Sequence, residues 1–167
     1  ILIKSYMKTI DETVTLTSEE ERVLHDYLFS VEIWGLYELS FFSSCSPLLS
    51  VQLLTKYTRE MLRKSDFLQG VGKNRNMMHT LLLNGFMACI EVDDFTNALY
   101  FKKQIEKNFF EENETYFRIV YLWAEGLLDS KQGRVEEGQR KMEDAIRIFE
   151  MIGCSRSADY YRSAMEC

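Results

Sequence analysis

Few residues in this chain have the types and spacings that support catalysis or metal chemistry. His25 and His79 stand far apart, and neither has a cysteine or a second histidine at the short spacing of a metal site. The four cysteines, Cys45, Cys89, Cys154 and Cys167, match no metal or redox pattern. Cys45 and Cys89 lie in apolar stretches and are expected as small buried hydrophobes. Gly70-Val71-Gly72-Lys73 has part of a phosphate loop, but the first glycine of that motif and the Ser or Thr after the lysine are missing. Asp93-Asp94 reads as a helix cap and turn. Asn113-Glu114-Thr115 has the letters of a glycosylation site and reads as an N-cap, and Glu19-Glu20-Glu21 reads as a solvated helix start. No nucleophile with a matching base can be assembled from these parts. The expectation is a non-enzymatic protein with no cofactor and no metal site, whose chemistry is recognition.

The elements that would position such a recognition surface are helices. The chain of 167 residues is 46% hydrophobic and 28% charged, a globular composition with length enough for a core. One proline and eight glycines over that length favour long helices with short connections over a sandwich or barrel. A net charge of -6 lacks the clustered cations that reading nucleic acid requires. Apolar runs are too short to span a bilayer and no signal peptide is visible, so a cytoplasmic protein without membrane association is expected. The chain begins at Ile1 rather than Met, and is expected to be the C-terminal part of something longer.

Helix punctuation is legible throughout. Thr17-Ser18-Glu19-Glu20 is a capping box opening a helix to about Ser30. Ser46-Pro47 is an N-cap with proline at the first helical position, predicting a helix from Pro47 to about Lys64. Gly70-Val71-Gly72 breaks the chain before a helix from about Lys73 to Glu91. Asp93-Asp94 caps a helix carrying Ala98, Phe101 and Ile105, and Asn113 is expected to cap another running to about Lys131. Gly133 ends that helix, Glu136-Glu137 begin the next, Gly153 stops it, and Ser155 opens a last one to about Met165. About seven or eight helices joined by short turns should be antiparallel neighbours.

The plan also repeats. A helix, a turn at Asp93-Asp94-Phe95 and a helix with Ala98 and Ile105 return 40 residues on as a helix around Trp123-Ala124-Glu125-Gly126, a turn at Gly133-Arg134-Val135 and a helix with Gly138, Met142 and Ala145. The pattern is similar to tetratricopeptide repeats, though longer than their 34 residues and without the proline after the second helix. The expected fold is therefore all-α, a right-handed tetratricopeptide-like solenoid forming one domain over residues 1–167. In such a fold the first helices of successive pairs line a groove. Its positions would fall near Thr80, Leu83, Met87 and Ile90, then near Val120, Trp123 and Leu127, an apolar lining suited to a hydrophobic peptide.

The run from Val23 to Leu39 contains Trp34, Gly35, Tyr37, Glu38 and Leu39, and it resembles the start of the C-terminal domain of Rgg/GadR/MutR transcriptional regulators. The resemblance covers the chain from about Thr17 to the end; the Trp34–Leu39 segment is its specific part. It implies a regulatory domain that binds a short hydrophobic signalling peptide in its groove and forms a homodimer. DNA would be reached only through an N-terminal helix-turn-helix domain absent from this chain.

On that reading Asn84, an asparagine inside a helix, could bracket a peptide backbone with its amide or make a hydrogen bond between helices. Arg75, Asn76 and His79 lie one or two turns earlier on the same helix; Arg75 or Asn76 could hold peptide carbonyls or a carboxylate, or all three could form an exposed helix start. Leu83, Met87, Trp123 and Leu127 would form an apolar floor or ordinary core. Trp34 and Tyr37 are expected to pack between helices. Tyr160, Tyr161 and Met165 on the last helix are candidates for a dimer surface. The competing reading is a tetratricopeptide-like scaffold or adaptor that binds a protein tail and has no part in transcription.

Overall fold

A computed structural model of the chain describes residues 1–8, 10–11, 13–64, 72–108 and 111–165. Those residues form nine α-helices and one 3-10 turn, with no strand among them. In chain order they are α1 (Leu2–Lys8), α2 (Ser18–Ser30), α3 (Leu36–Cys45), the 3-10 turn Ser46–Leu48, α4 (Val51–Lys64), α5 (Gly72–Glu91), α6 (Phe95–Lys107), α7 (Thr115–Lys131), α8 (Val135–Met151) and α9 (Ser155–Met165). The fold is all-α and built of helical repeats, as expected. The helices divide into two units, residues 1–85 and 86–167, with α5 beginning in the first and ending in the second. Gly70 and Val71 of the expected chain break, Phe110 and Cys167 lie outside the described residues.

In the first unit the capping box forms as read. The Glu20 amide donates to Thr17 Oγ1 at 3.3 Å, and the Glu20 carboxylate accepts from the Thr17 amide at 2.8 Å. The same carboxylate takes Lys4 of α1 at 2.5 Å, and these bonds hold it down at about 2. Helix α1 packs on α3 and the 3-10 turn, with the Ser5 hydroxyl bonded to the Ser44 carbonyl. Gly35, not an Asp or Ser, caps α3; its amide donates to the Glu38 carboxylate at 3.1 Å. Trp34 is fully buried on Phe42, with ring centroids 5.4 Å apart, and Phe42 meets Tyr57 of α4 edge-on.

Three details depart from expectation. Pro47 lies in the middle of a 3-10 turn and does not open α4: Leu49 is extended, and α4 begins after Ser50, whose Oγ accepts from the Leu53 amide at 3.3 Å. Asn113 sits in a turn; Glu114 holds the N-cap position of α7, its side chain reaching back to the Glu111 amide at 2.8 Å. Tyr37, expected between helices, is exposed.

The second unit carries the repeat. Three connections, α5 to α6, α7 to α8 and α8 to α9, close in the same way. Asp93, Gly133 and Gly153 all have positive φ, at 58°, 89° and 79°. Each donates its amide to the carbonyl three residues back, while the next amide reaches the carbonyl five residues back, at 2.8 to 2.9 Å. These are Schellman closures, in which a left-handed residue lets the last carbonyls of a helix find donors. Asp93 and Gly133 are 40 residues apart, so the sequence period is a structural one. Asp94 then caps α6, accepting from the Asn97 amide at 3.1 Å. Helices α7 and α8 cross at Gly126 and Gly138, where only the missing side chains permit the approach. Phe149 of α8 stacks on Tyr161 of α9 with centroids 5.6 Å apart and planes 6° from parallel.

Candidate functional site

Helix α5 supplies most of the candidate residues, and its sequence explains which of them face outward. Leu81-Leu82-Leu83, Phe86, Cys89 and Ile90 place apolar groups all round the helix, so it is buried on most sides. What remains open in the first unit is a narrow polar stripe, with Asn76 exposed and Arg75, Thr80 and Asn84 half-buried. Asn76, Thr80 and Asn84 recur every fourth residue and therefore lie one above another on the helix. The Thr80 hydroxyl donates back to the Asn76 carbonyl at 2.9 Å. In the second unit the same helix has half-buried Met87 and Ala88 and exposed Glu91.

His79 and Leu83 lie inside, at 0% and 2% exposure, as do the expected groove positions Ile90 and Val120. Trp123 is also interior. Its indole packs at 5.1 Å from the Tyr161 ring, and its buried N–H meets no acceptor among the described residues. Leu127, one turn further along α7, keeps part of its side chain at the surface. The structure thus separates the candidates: Arg75, Asn76, Asn84, Met87 and Leu127 have surface to offer, whereas His79 and Leu83 are buried in the first unit and Trp123 in the second.

A polar cluster between α6 and α7 was missed in the sequence. Tyr121 donates its hydroxyl to Glu106 at 2.9 Å and approaches Glu125 at 3.4 Å, while Lys102 pairs with Glu125 and lies 3.8 Å from Glu106. Burial and the two carboxylates push the Tyr121 hydroxyl above its ordinary value, which keeps it a donor. Its signal was present as two pairs at i,i+4, Lys102 with Glu106 and Tyr121 with Glu125. A second cluster lies at the foot of α7. Asp129, only 7% exposed, accepts from Lys141 at 2.6 Å and from Arg134 at 2.5 Å. Burial pushes its carboxyl up, but the bonds to Lys141 and Arg134 outweigh that and leave it below the usual carboxylate range. Cys45 is buried, which pushes its thiol up to about 11 and removes it from thiolate chemistry.

On α9 the dimer candidates also divide. Tyr160 is 67% exposed and Met165 half-buried, but Tyr161 is packed between Phe149 and Trp123. Tyr161 is therefore occupied in the core of its own unit. Exposed Met151 and Ile152, at the turn before α9, add apolar surface that the sequence reading did not single out.

The fold is an all-helical repeat in which the Asp93 turn returns at Gly133, 40 residues on, and a buried Trp34 leads into a Gly35-capped helix. The family model for the C-terminal domain of the HTH-type transcriptional regulator Rgg matches residues 1–163. The chain belongs to this family. The family is one of transcriptional regulators, and the Trp34–Leu39 segment pointed to it. Among solved structures, a cysteine-to-serine variant of the Streptococcus dysgalactiae SHP pheromone receptor Rgg2 is 30% identical, with a TM-score of 0.87 over 99% of this chain and 60% of that one. The Streptococcus dysgalactiae Rgg2 receptor itself is 28% identical, with a TM-score of 0.82 over 99% of this chain and 63% of that one. A putative transcriptional regulator from Listeria monocytogenes EGD-e shares the fold at 21% identity, with a TM-score of 0.79 over 90% of this chain and 52% of that one. The chain therefore spans less than two thirds of the length of these relatives. Among the described residues, no helix is long and apolar enough to cross a membrane.

Proposed function

We propose that this chain is the peptide-sensing domain of an Rgg-type transcriptional regulator. The observation that carries the reading is its likeness, over 99% of its length, to a protein described as a pheromone receptor. The exposed stripe of α5 supports it. Side-chain amides of Asn76 and Asn84, about two turns apart, offer a donor and an acceptor each to an extended backbone, and Arg75 adds a cation for a carboxylate. In the second unit, Met87 and Leu127 offer apolar surface of their own. His79 and Leu83, buried on the same helix, would hold the stretch of α5 that carries the two amides. A ligand that favours one arrangement of such a domain shifts its population only by its difference in affinity for the two. That shift would pass to a DNA-binding segment outside this chain.

Dimerisation belongs to the same proposal, through the outer face of α9 and the turn before it, with Tyr160, Met165, Met151 and Ile152. A Tyr160→Glu variant should sediment as a monomer while keeping the helical circular dichroism of the parent, because Tyr160 is exposed. An unchanged dimer would place the interface elsewhere. Peptide sensing is tested by fluorescence anisotropy with labelled apolar octapeptides. Asn84→Ala should weaken binding about tenfold, the loss of hydrogen bonds worth about 1.4 kcal/mol. Binding of a folded protein tail with no response to short peptides would instead favour a scaffold.

A further inference from the structure

The regulatory reading leaves unused a cleft between α2 and α4 in the first unit. It measures about 240 Å³, lined by the apolar Leu28, Phe29 and Tyr57, the cations Lys56, Arg63 and Lys64, and one carboxylate, Glu60. The apolar lining is built. The Tyr57 hydroxyl donates to the His25 carbonyl at 3.2 Å, which fixes the ring, and His25 meets Tyr57 edge-on while lying parallel to Phe29. Phe29 nonetheless remains 69% exposed. Of the cations, Arg63 is engaged by Glu60 at 2.8 Å and Lys64 donates to the Val31 carbonyl at 2.7 Å. Lys56 differs. Its ammonium sits over both rings, 5.9 Å from the Phe29 centroid and 5.7 Å from that of Tyr57, and it forms no ion pair with a carboxylate among the described residues. Lys56, Arg59 and Arg63 also fall on one face of α4, at i, i+3 and i+7. This is a local positive stripe on a chain of net charge -6.

We infer that this cleft docks an acidic, apolar peptide segment of a partner protein, with an apolar side chain lying on Phe29 and Tyr57 and a neighbouring carboxylate accepting from Lys56. The charge and the apolar lining select this occupant together. A carboxylate would give Lys56 a direct partner, because its neighbour Glu60, one turn along, is already bonded to Arg63. An aromatic lining in a narrow cleft calls for a side chain to cover it. A duplex backbone would satisfy the cations but would bring only phosphate and sugar to the rings. The site is on different helices from the α5 stripe and does not depend on the peptide-sensing proposal.

The test is a titration of the chain with the labelled hexapeptide Asp-Leu-Asp-Phe-Asp-Leu, its analogue with Asn for each Asp, and a labelled duplex of random sequence. Saturable binding of the acidic peptide is expected, weakened about tenfold by Lys56→Glu, severalfold by Lys56→Gln and Phe29→Ala, and falling with added salt. Both residues are exposed, so these variants should keep the parent circular dichroism. The Asn analogue should bind at least about tenfold more weakly, and Asn84→Ala should leave the acidic peptide's affinity unchanged. Equal binding of the two peptides, indifference to Lys56→Glu, or loss on Asn84→Ala would overturn the proposal. Tighter binding of the duplex than of the acidic peptide would overturn the assigned occupant.

Discussion

Gly126 of α7 and Gly138 of α8 meet backbone to backbone: a methyl group on Gly126 would stand 2.6 Å from the Gly138 carbonyl oxygen. One on Gly138 would run into the Gly126 carbonyl and the Ser130 amide and hydroxyl. Glycine inside a helix costs about 1 kcal/mol relative to alanine, so two of them at one crossing are kept for the approach they allow. Gly126→Ala should therefore destabilise the protein by about 1–3 kcal/mol despite its better helix propensity, as overpacking does. Urea unfolding measures this. A gain in stability would show that the two helices can move apart without loss.

The three Schellman turns give a second prediction. A side chain at Gly133 or Gly153 would meet nothing within 4 Å, so any cost of substitution is one of backbone conformation. Gly133→Ala should lose about 1–2 kcal/mol, since a left-handed residue with a Cβ is strained. Asp93 holds the same conformation at φ 58°. Aspartate tolerates that region better than alanine, so Gly133→Asp should cost less than Gly133→Ala. Equal losses in the two variants would contradict the equivalence of the turns.

Asp129 should make stability depend on pH. Its carboxyl is lowered in the folded protein by Lys141 and Arg134. A depressed carboxylate contributes stability that is present above the unfolded value, near 3.9, and lost as the pH falls through the folded one. Asp129→Asn should thus cost about 1–3 kcal/mol at neutral pH, the range for a hydrogen bond to a charged group, and the gap to the parent should close as the pH drops below about 4. Thermal unfolding across that range reads it. A gap that stays constant with pH would mean the lost interaction is not ionic.

What the sequence disclosed follows from where each signal is written. Caps and turns are local, so Thr17 with Glu20, Asp94, Gly133 and Gly153 could be read directly, and the distance from Asp93 to Gly133 exposed the repeat. Pro47 misled because its fixed φ suits a 3-10 turn as well as the first turn of an α-helix. Helix α1 was invisible: it has seven residues and buries only Ser5, too little for a helical period to show. The candidate site was half legible. Trp123 and Leu83 are apolar residues on helices with apolar groups on most faces, and periodicity cannot say which face of such a helix is open. Their burial depends on partners distant in sequence, Tyr161 for Trp123, which no local pattern encodes. Asn84 stood out because a polar amide interrupts an apolar run, and it lies with Asn76, read as part of a polar helix start, on the open stripe.

The central claim is that a short apolar peptide binds along the open stripe of α5. Hydrogen–deuterium exchange, followed by mass spectrometry with and without a saturating apolar octapeptide, tests it most directly. Slower exchange is expected in peptides covering Asn76 to Asn84 of α5. Protection confined to other helices, or no protection by any member of a broad apolar peptide set on a folded chain, would contradict it.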